Sequence, residues 1–183
     1  RAGAHLSTHL GNGMAGMVDR HKNPIWAQLA EDALCASLIP DLEHLPPPVL
    51  KSLIRAKGPE RIVLISDAMH AAGLKPGRYD LAGRPVEMLR SGRVCLSGTP
   101  YLAGSSLMLL QGLVNAVQAG GMTWRQAGAS ASSISGRLTG VDLPAFPPRK
   151  GDKAEFLVVA LDKSRPRWKA NLECVFANGK RLK

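Results

Sequence analysis

The alternation of apolar segments in the first seventy residues limits the possible folds more than any other feature of this chain. Residues 2–10, 34–41 and 61–69 contain the short apolar runs typical of buried strands, whereas 23–33 and 46–58 carry apolar residues at helical spacing. Strands that alternate with helices are typical of a parallel sheet, because each helix returns the chain to the edge where the next strand begins. The sequence therefore predicts an α/β fold.

The middle of the chain departs from this alternation. Residues 74–104 contain short alternating segments separated by glycines, which predicts an excursion of β-hairpins. A helix is predicted over 105–120, with Ser105 or Ser106 as its N-cap. The residues expected to face inward from this helix are Leu109, Gly112, Leu113, Ala116 and Val117.

The last third of the chain shows a helix, a break and a group of strands. A helix is predicted to begin at Thr123 and to fray through Gly128 and the serine-rich residues that follow it. The proline-rich residues 144–152 predict a domain boundary. Beyond them, two or three strands are predicted, closed by a hairpin turn at Asn178 and Gly179.

The net charge of +10 could indicate an anionic partner, and its distribution selects among the candidates. Lysine and arginine are dispersed without a run of five, and only 4% of the residues are aromatic, which argues against nucleic acid as a partner. The sequence shows neither an apolar run long enough to span a membrane nor a leader segment, so no membrane partner is expected. We expect a soluble cytoplasmic protein with a small anionic substrate.

Titratable residues stand where the three predicted strands end. His9 follows the first strand, residues 41–44 follow the second, and Asp67 follows the third. The carboxyl ends of parallel strands are where α/β proteins gather their chemistry. An imidazole can hold a divalent ion, and a nearby carboxylate can move a proton from water. Each position alone also suits a structural hydrogen bond or a turn cap, so the residues by themselves leave both interpretations open.

The segment "THLGNGM", residues 8–14, resembles the Thr-His-Leu-x-Asn-Ala-Met motif of N-acetylglucosamine-6-phosphate deacetylases, which are members of the amidohydrolase superfamily. The resemblance continues in order through "PDLEHLPP", "RAKGPERIVLISDAMHAAGL", "GTPYLAGSSLMLLQGLVNAV" and "KAEFLVVALD…VFANGKR". It implies strands six to eight of a (β/α)8 barrel in residues 1–146 and the C-terminal strands of a small β-sandwich in 147–183. A complete barrel takes about 250 residues, and the chain begins with Arg1. We therefore expect the C-terminal portion of a longer enzyme.

The resemblance also implies roles for individual residues. His9 corresponds to a metal-ligand histidine. Asp67 corresponds to the aspartate that acts as general base on metal-bound water and then as general acid toward the leaving amine. His44 corresponds to a histidine that contacts the substrate, although Leu42 stands where the family has glycine. The other substrate-binding residues implied by the resemblance are Asn12, Gly13, Arg20, Leu102, Ala103 and Gly104.

The resemblance assigns these residues to different parts of the substrate. Asn12 and Gly13 correspond to the pair that holds a polar end of the substrate, with alanine in the family where Gly13 stands. Arg20 corresponds to an arginine that binds the sugar phosphate across a dimer interface, a role that a guanidinium suits and that neighbouring basic residues could also take. Residues 102–104 match the loop beside the N-acetyl group.

The resemblance implies metal-assisted hydrolysis of an N-acetyl amide, most simply that of N-acetylglucosamine 6-phosphate or a related amino-sugar phosphate, by a homodimer. Zinc is the first choice of metal, with iron or another divalent ion as an alternative. The other expected ligands, a glutamate and a histidine, are not in this chain, so we expect the chain alone to bind metal poorly. The alternatives are an amidohydrolase for another amide or cyclic imide, a catalytically silent barrel fragment, and a basic nucleic-acid-binding module.

Overall fold

The first half of the chain forms the predicted parallel sheet. The computed structural model describes residues 3–141, 143 and 147–182. The first elements are β1 (Leu6–Ser7), α1 (Pro24–Ala30), β2 (Cys35–Leu38), α2 (Pro47–Lys57) and β3 (Ile62–Leu64). The three strands are parallel and lie in the order β1, β2, β3, with Leu6 opposite Cys35 and Ala36 opposite Ile62. The predicted α/β fold is confirmed for this part of the chain.

Helix α2 packs on this sheet through one apolar stripe. Asn23 caps the preceding helix α1 by accepting the backbone N–H groups of Ile25 and Trp26. Along α2, the buried side chains of Leu50, Leu53 and Ile54 fall on one face at the spacing of helical turns. Together with Leu10, Leu38, Leu45, Ile62, Leu64 and Ala116, they form the main hydrophobic cluster of the described residues. Burial of this stripe holds β2 and β3 in fixed positions relative to each other.

The predicted hairpin excursion is confirmed. Strands β4 (Gly77–Leu81), β5 (Arg84–Met88) and β6 (Val94–Leu96) form an antiparallel sheet in that order. Ala82 and Gly83 make the turn between β4 and β5, and both have the positive φ that a two-residue hairpin turn favours. The sheet buries its own small cluster of Met69, Ala71, Val86, Met88 and Val94. The excursion therefore has a core of its own and lies next to the segment that follows β3.

The helices after this sheet differ in part from the sequence prediction. They are α3 (Leu109–Gln118), α4 (Trp124–Ser130) and α5 (Ser133–Thr139). The prediction of Ser105 or Ser106 as the N-cap of α3 is wrong, because the helix begins at Leu109 and Met108 occupies the cap position. The prediction of inward-facing residues on α3 is correct, since Gly112 and Ala116 are buried and the other three pack against the main cluster.

Helix α4 begins as predicted but does not fray. The side chain of Thr123 accepts the backbone N–H of Gln126, and the side chain of Gln126 accepts the backbone N–H of Thr123. This reciprocal pair caps the helix. The helix continues to Ser130, and a further helix, α5, follows where the sequence predicted irregular structure. Ile134 and Gly136 are buried on α5, so tertiary packing compensates for the weak helix propensity of its serines and glycines.

The C-terminal residues form a third sheet. Strands β7 (Phe156–Asp162), β8 (Lys169–Ala177) and β9 (Lys180–Arg181) are antiparallel, and Asn178 and Gly179 make the predicted tight turn between β8 and β9. The predicted domain boundary falls at residues 146 and 147, and residues 144–146 lie outside the described residues, so the boundary stays a prediction. Within the described ranges, no helix has the length and apolar character needed to cross a membrane.

Candidate active site at the strand ends

Each strand of the parallel sheet is followed by a residue with left-handed backbone geometry. His9 follows β1 with φ 30°, Leu42 follows β2 with φ 68°, and Asp67 follows β3 with φ 50°. The two other non-glycine residues with positive φ in the described part of the chain, Ala82 and Asn178, lie in hairpin turns. Left-handed geometry costs a residue with a side chain about 1–2 kcal/mol. Such strain concentrates at functional sites, so the carboxyl edge of this sheet is the candidate site.

Ser37 of β2 fixes the backbone of His9. Its hydroxyl accepts the His9 N–H at 2.7 Å and donates to the carbonyl oxygen of Ser7 at 3.2 Å. Its own carbonyl accepts the N–H of Leu10 at 2.9 Å. These bonds replace regular strand pairing where β1 ends, so the His9 side chain leaves the sheet in one defined direction.

The imidazole of His9 has a buried nitrogen without a hydrogen-bond partner. Its Nδ1 is the only buried side-chain nitrogen or oxygen, among the described residues, that lacks a partner. An enclosed polar atom without a partner costs about 1–3 kcal/mol. A ligand that accepts the nitrogen lone pair or a hydrogen bond removes this cost, and a divalent metal ion has the required chemistry.

Asn12 and Gly13 lie directly against His9. Asn12 donates from its backbone N–H and from its side-chain Nδ2 to the carbonyl oxygen of His9, at 2.9 and 3.2 Å. Gly13 has φ 64°, and a Cβ placed there would lie 3.1 Å from Cε1 of the His9 ring. Glycine instead of the alanine of the family motif thus suits both this backbone geometry and the close approach to the imidazole.

The loop after β2 holds His44 through a buried carboxylate. His44 Nδ1 lies 2.7 Å from Asp41 Oδ2, and the two side chains are only 7% and 9% exposed. The other carboxylate oxygen, Oδ1, accepts the backbone N–H groups of Glu43 and His44. Burial by itself raises the pKa of Asp41, but the hydrogen bonds from His44 outweigh it and hold that pKa below its ordinary value.

The tautomer of His44 follows from this contact. An ionised carboxylate only accepts hydrogen bonds, so the Nδ1–H of His44 donates to Asp41. In a neutral ring, this arrangement leaves Nε2 as a lone-pair acceptor that can meet a substrate hydroxyl or amide group. The predicted substrate-contacting histidine is therefore held in one orientation by its own loop.

Leu42 takes the backbone conformation that glycine would take in this loop. Its φ of 68° is left-handed, and its side chain packs against the main hydrophobic cluster. The packing of the leucine side chain offsets part of the conformational cost. The departure from the family motif at this position therefore leaves the turn of residues 41–44 intact.

Asp67 is exposed at the end of β3, and its backbone is bound to the loop before α3. Its carbonyl oxygen accepts the N–H of Ser105 at 2.8 Å, and Met69 N–H donates to the Ser105 carbonyl at 2.9 Å. Gly104 sits so close that a Cβ placed on it would lie 3.3 Å from the Asp67 carbonyl oxygen. The carboxylate of Asp67 receives no hydrogen bond from any described residue, so it is accessible to a ligand.

Residues 102–104 connect this site to the second sheet. Leu102 forms an isolated antiparallel bridge with Cys95 of β6. Ala103 donates its N–H to the carbonyl oxygen of Val94 at 3.1 Å, also in β6. Three of the predicted substrate-binding residues, Leu102, Ala103 and Gly104, thus form a loop that is fixed on one side by β6 and on the other by Asp67.

Arg20 lies apart from these residues. It is exposed on the loop between β1 and α1, and within the described part of the chain its guanidinium forms no ion pair or hydrogen bond. Its carbonyl oxygen accepts the indole N–H of Trp26 at 2.9 Å, and Asp19 binds the backbone N–H groups of His21 and Lys22. The loop is therefore ordered locally, but the structure does not bring Arg20 into contact with the strand-end residues.

A complete set of metal ligands is absent from the described residues. No group of three or more His, Cys, Asp or Glu side chains with ligand geometry occurs among them. An apolar groove lies elsewhere and is lined by residues of α3, α4 and β7 such as Leu110, Trp124 and Leu157.

Sequence reasoning missed two residues that organise this edge. Ser37 appears in the sequence as one small residue of a buried strand, and Ser105 as a helix cap, whereas both hold other site residues in place. The short spacing of Asp41 and His44 was a usable signal, because an aspartate three residues before a histidine in a turn can reach its ring. The bond between Ser105 and Asp41 joins residues 64 positions apart, and no local pattern indicates it.

Comparison with curated proteins gives consistent relatives, although no protein-family model matches the chain. The N-acetylgalactosamine-6-phosphate deacetylase of Escherichia coli O157:H7 is 38% identical over 161 residues, which are 88% of this chain and 41% of that protein. A protein of Escherichia coli strain K12, provisionally named N-acetylgalactosamine-6-phosphate deacetylase, is 38% identical over 154 residues, which are 84% of this chain and 89% of its own length. The chain thus spans less than half of the first relative and most of the second.

A solved structure is similar over nearly the whole chain. It is an aspartate-to-alanine variant of the N-acetyl-D-glucosamine-6-phosphate deacetylase of Mycobacterium smegmatis, in complex with N-acetyl-D-glucosamine-6-phosphate. The TM-score is 0.80 at 27% sequence identity, and the match covers 98% of this chain and 45% of that one.

Proposed function

Because this chain belongs to the family of N-acetylglucosamine- and N-acetylgalactosamine-6-phosphate deacetylases, with 38% identity to a relative of which it covers 89%, we propose that it acts in removing the acetyl group from an N-acetylated amino-sugar 6-phosphate. The observation that carries this proposal is the single sheet edge at which β1, β2 and β3 present His9, His44 and Asp67. Each of these residues matches the family motif in chain order. We propose that the reaction takes place at this edge.

The proposed architecture is part of a (β/α)8 barrel. The three parallel strands with α1 and α2 correspond to strands six to eight of such a barrel, and residues 147–183 to the C-terminal strands of a β-sandwich. The family likeness over 41% of a longer deacetylase supports this arrangement. The rest of the barrel wall then comes from residues of the complete enzyme that precede this segment.

The site fits a divalent metal ion at one position in this chain, His9. Its buried Nδ1 has no hydrogen-bond partner among the described residues. Binding of a metal ion would give this nitrogen a partner. When bound, a divalent ion supplies activation of water and polarisation of the acetyl carbonyl group. We propose zinc, with iron or another divalent ion as alternatives, and further ligands from outside this chain.

Asp67 is the residue that moves the proton in this proposal. Its carboxylate is exposed, and it accepts no hydrogen bond from any described residue, so it can accept a proton from the attacking water. The same carboxyl group then gives that proton to the nitrogen of the leaving amine, which makes the amine a better leaving group. The hydrogen bond between the Asp67 carbonyl oxygen and Ser105 fixes the backbone from which the carboxylate reaches the substrate.

The substrate is bound by residues around Asp67. His44 offers Nε2 to a polar group of the sugar, and Asn12 with Gly13 binds another polar end beside His9. The loop of Leu102, Ala103 and Gly104 lies along the acetyl group. Arg20 binds the phosphate, and its exposed position on a loop agrees with a role across the interface of a homodimer.

Acetate release tests this function directly. The experiment uses the complete reading frame that contains this chain, with N-acetylgalactosamine 6-phosphate and N-acetylglucosamine 6-phosphate as substrates. Asp67→Asn is expected to lower kcat by about 100- to 10,000-fold, because general acid–base catalysis contributes that much. Asp32→Asn is the matched control, since Asp32 is an exposed carboxylate at the opposite edge of the same sheet. Equal rates for wild type and Asp67→Asn would contradict the assigned role.

A catalytically silent fragment is the second candidate. The observation in its favour is that the described residues contain no group of three metal-ligating side chains. This candidate predicts no acetate release from either substrate, with or without added divalent metal. Activity of the complete reading frame that depends on Asp67 would exclude it.

A further inference from the structure

Ser105 links two of the three strand ends through its side chain and its backbone. It is almost fully buried, with 2% of its surface exposed. Its hydroxyl donates to Asp41 Oδ2 at 3.0 Å and accepts the N–H of Leu107 at 3.0 Å. Its backbone N–H and carbonyl bind Asp67 and Met69. One residue of the loop before α3 thus contacts both the loop after β2 and the segment after β3.

The hydroxyl of Ser105 acts on the same carboxylate oxygen that binds His44. Asp41 Oδ2 receives both Ser105 Oγ and His44 Nδ1, while Oδ1 receives two backbone N–H groups. Four hydrogen bonds restrict the rotation of this carboxylate, and bonds to an ionised group are stronger than neutral ones. The orientation of Asp41, and through it that of the His44 ring, therefore depends in part on Ser105.

We propose that Ser105 is a positioning residue for the site. Its hydroxyl holds the Asp41 carboxylate so that His44 keeps its hydrogen on Nδ1 and leaves Nε2 available to substrate. Its backbone holds the segment of Asp67 at a fixed distance from the same loop. Ser105 therefore couples the substrate-contacting histidine to the proton-transferring aspartate without touching the reacting atoms.

This inference rests on the proposed function only in taking His44 and Asp67 as residues that contact the substrate. The orientation of the His44 ring is a property of the chain itself and can be measured without turnover. Nitrogen-15 spectra of the imidazole groups report which ring nitrogen carries the hydrogen. The His44→Gln variant assigns the His44 signals by their loss. A failure of the deacetylase assay and a failure of this measurement are therefore distinguishable.

The test uses the protein encoded by the complete reading frame, with its histidines labelled with nitrogen-15, at a pH of about 8.5, where an ordinary imidazole is neutral. Wild type is expected to show His44 with hydrogen on Nδ1. In Ser105→Ala the share of the Nε2–H form is expected to rise about three- to tenfold, which is the scale of a typical net hydrogen-bond contribution. Asp41→Asn, which removes the charge, is expected to give the largest change.

Ser106→Ala is the matched control. The hydroxyl of Ser106 donates to the carbonyl oxygen of Gly92 at 2.6 Å and does not bind Asp41. This variant also loses one partly buried hydroxyl bond in the loop before α3, so a general loosening of this loop affects both variants. The His44 spectrum of Ser106→Ala is expected to equal that of wild type.

Ser105→Cys keeps the test decisive if the alanine variant does not fold. The thiol has nearly the same shape but is a weaker donor, so an intermediate shift is expected. Three results would overturn the proposal: a wild-type His44 with its hydrogen on Nε2, an unchanged His44 spectrum in the folded Ser105 variants, or an equal shift in Ser106→Ala.

Discussion

The two edges of the parallel sheet both bury a charged side chain, but they use it differently. At the amino edge, Lys57 is 2% exposed and donates to the carbonyl oxygens of Gln28 and Glu31 at the end of α1, at 2.7 Å each. At the carboxyl edge, Asp41 binds His44 and Ser105. The partners of Lys57 are backbone carbonyl oxygens, whereas those of Asp41 include a titratable ring.

Backbone strain separates the two edges as well. The residues His9, Leu42 and Asp67, which follow the strands, have positive φ, and no non-glycine residue described at the amino edge does. A buried charge alone therefore does not mark a functional site. Strain combined with polar groups that have unused hydrogen-bonding capacity does, as at the Nδ1 of His9. The two edges therefore differ in backbone strain and in unused hydrogen-bonding capacity, which the proposed catalytic role of the carboxyl edge requires.

The largest effect on stability is expected at the amino edge. Lys57→Met keeps the aliphatic stem but removes two charge-assisted hydrogen bonds, to the carbonyl oxygens of Gln28 and Glu31, so the free energy of unfolding should fall by about 2–3 kcal/mol. Lys51→Met on the exposed face of the same helix should change it by less than about 0.5 kcal/mol. Denaturant unfolding measures both variants. An equal loss in both would show that the buried ammonium group is not a helix cap.

A smaller stability effect, with an added effect on turnover, is expected at the carboxyl edge. Gly104→Ala and Gly98→Ala both place a side chain at positive φ, 77° and 75°, which should cost each about 1 kcal/mol. Only Gly104→Ala also brings a Cβ within 3.3 Å of the Asp67 carbonyl oxygen, whereas nothing lies within 4 Å of the corresponding Cβ at Gly98.

Gly104→Ala should therefore destabilise the protein more than Gly98→Ala and should lower kcat, because it displaces the backbone of Asp67. Chemical unfolding and acetate release of the complete reading frame measure the two consequences. If the two alanine variants show the same kcat, the close contact between Gly104 and Asp67 has no role in positioning the carboxylate.

The smallest effect is expected in the acid range. Since the hydrogen bonds of Asp41 hold its pKa below the ordinary value near 3.8, its contribution to stability is present above that value. It is lost as the pH falls below 3.8 through the lower pKa of the folded state. Asp41→Asn should flatten this part of the pH profile, whereas a profile identical to that of wild type would contradict the assignment.

The sequence predicted the elements well and their ends poorly. The periodicity of α2 and the apolar runs of the first three strands identify the sheet and the helix on it. A helix that is buried on one face has apolar residues at helical spacing, and a strand that is buried on both faces is a continuous apolar run. Strand β3 was predicted over 61–69 but covers Ile62–Leu64, because the chain turns to left-handed geometry at Asp67. Reversals of this kind at residues other than glycine leave no compositional signal.

The same distinction applies to the site. His9, His44 and Asp67 could be selected from the sequence, because each titratable residue follows an apolar strand and matches a family motif. The roles of Ser37 and Ser105 could not, since each depends on a partner far away in the chain, 28 residues for Ser37 and His9 and 64 for Ser105 and Asp41. Motifs identify the groups that meet the substrate, whereas tertiary contacts identify those that hold them.

The central claim is that His9, His44 and Asp67 surround one metal-assisted site. The most direct test is whether one bound cation affects the signals of all three residues at once. Manganese(II) can be titrated into the isotope-labelled protein encoded by the complete reading frame, which contains the further metal ligands proposed above, while nuclear magnetic resonance follows the broadening of backbone signals. We expect the signals of His9, His44 and Asp67 to broaden together, those around Lys57 to stay sharp, and His9→Ala to abolish the effect. Broadening centred at the amino edge, or broadening that persists in His9→Ala, would contradict a shared metal-assisted site at the carboxyl edge.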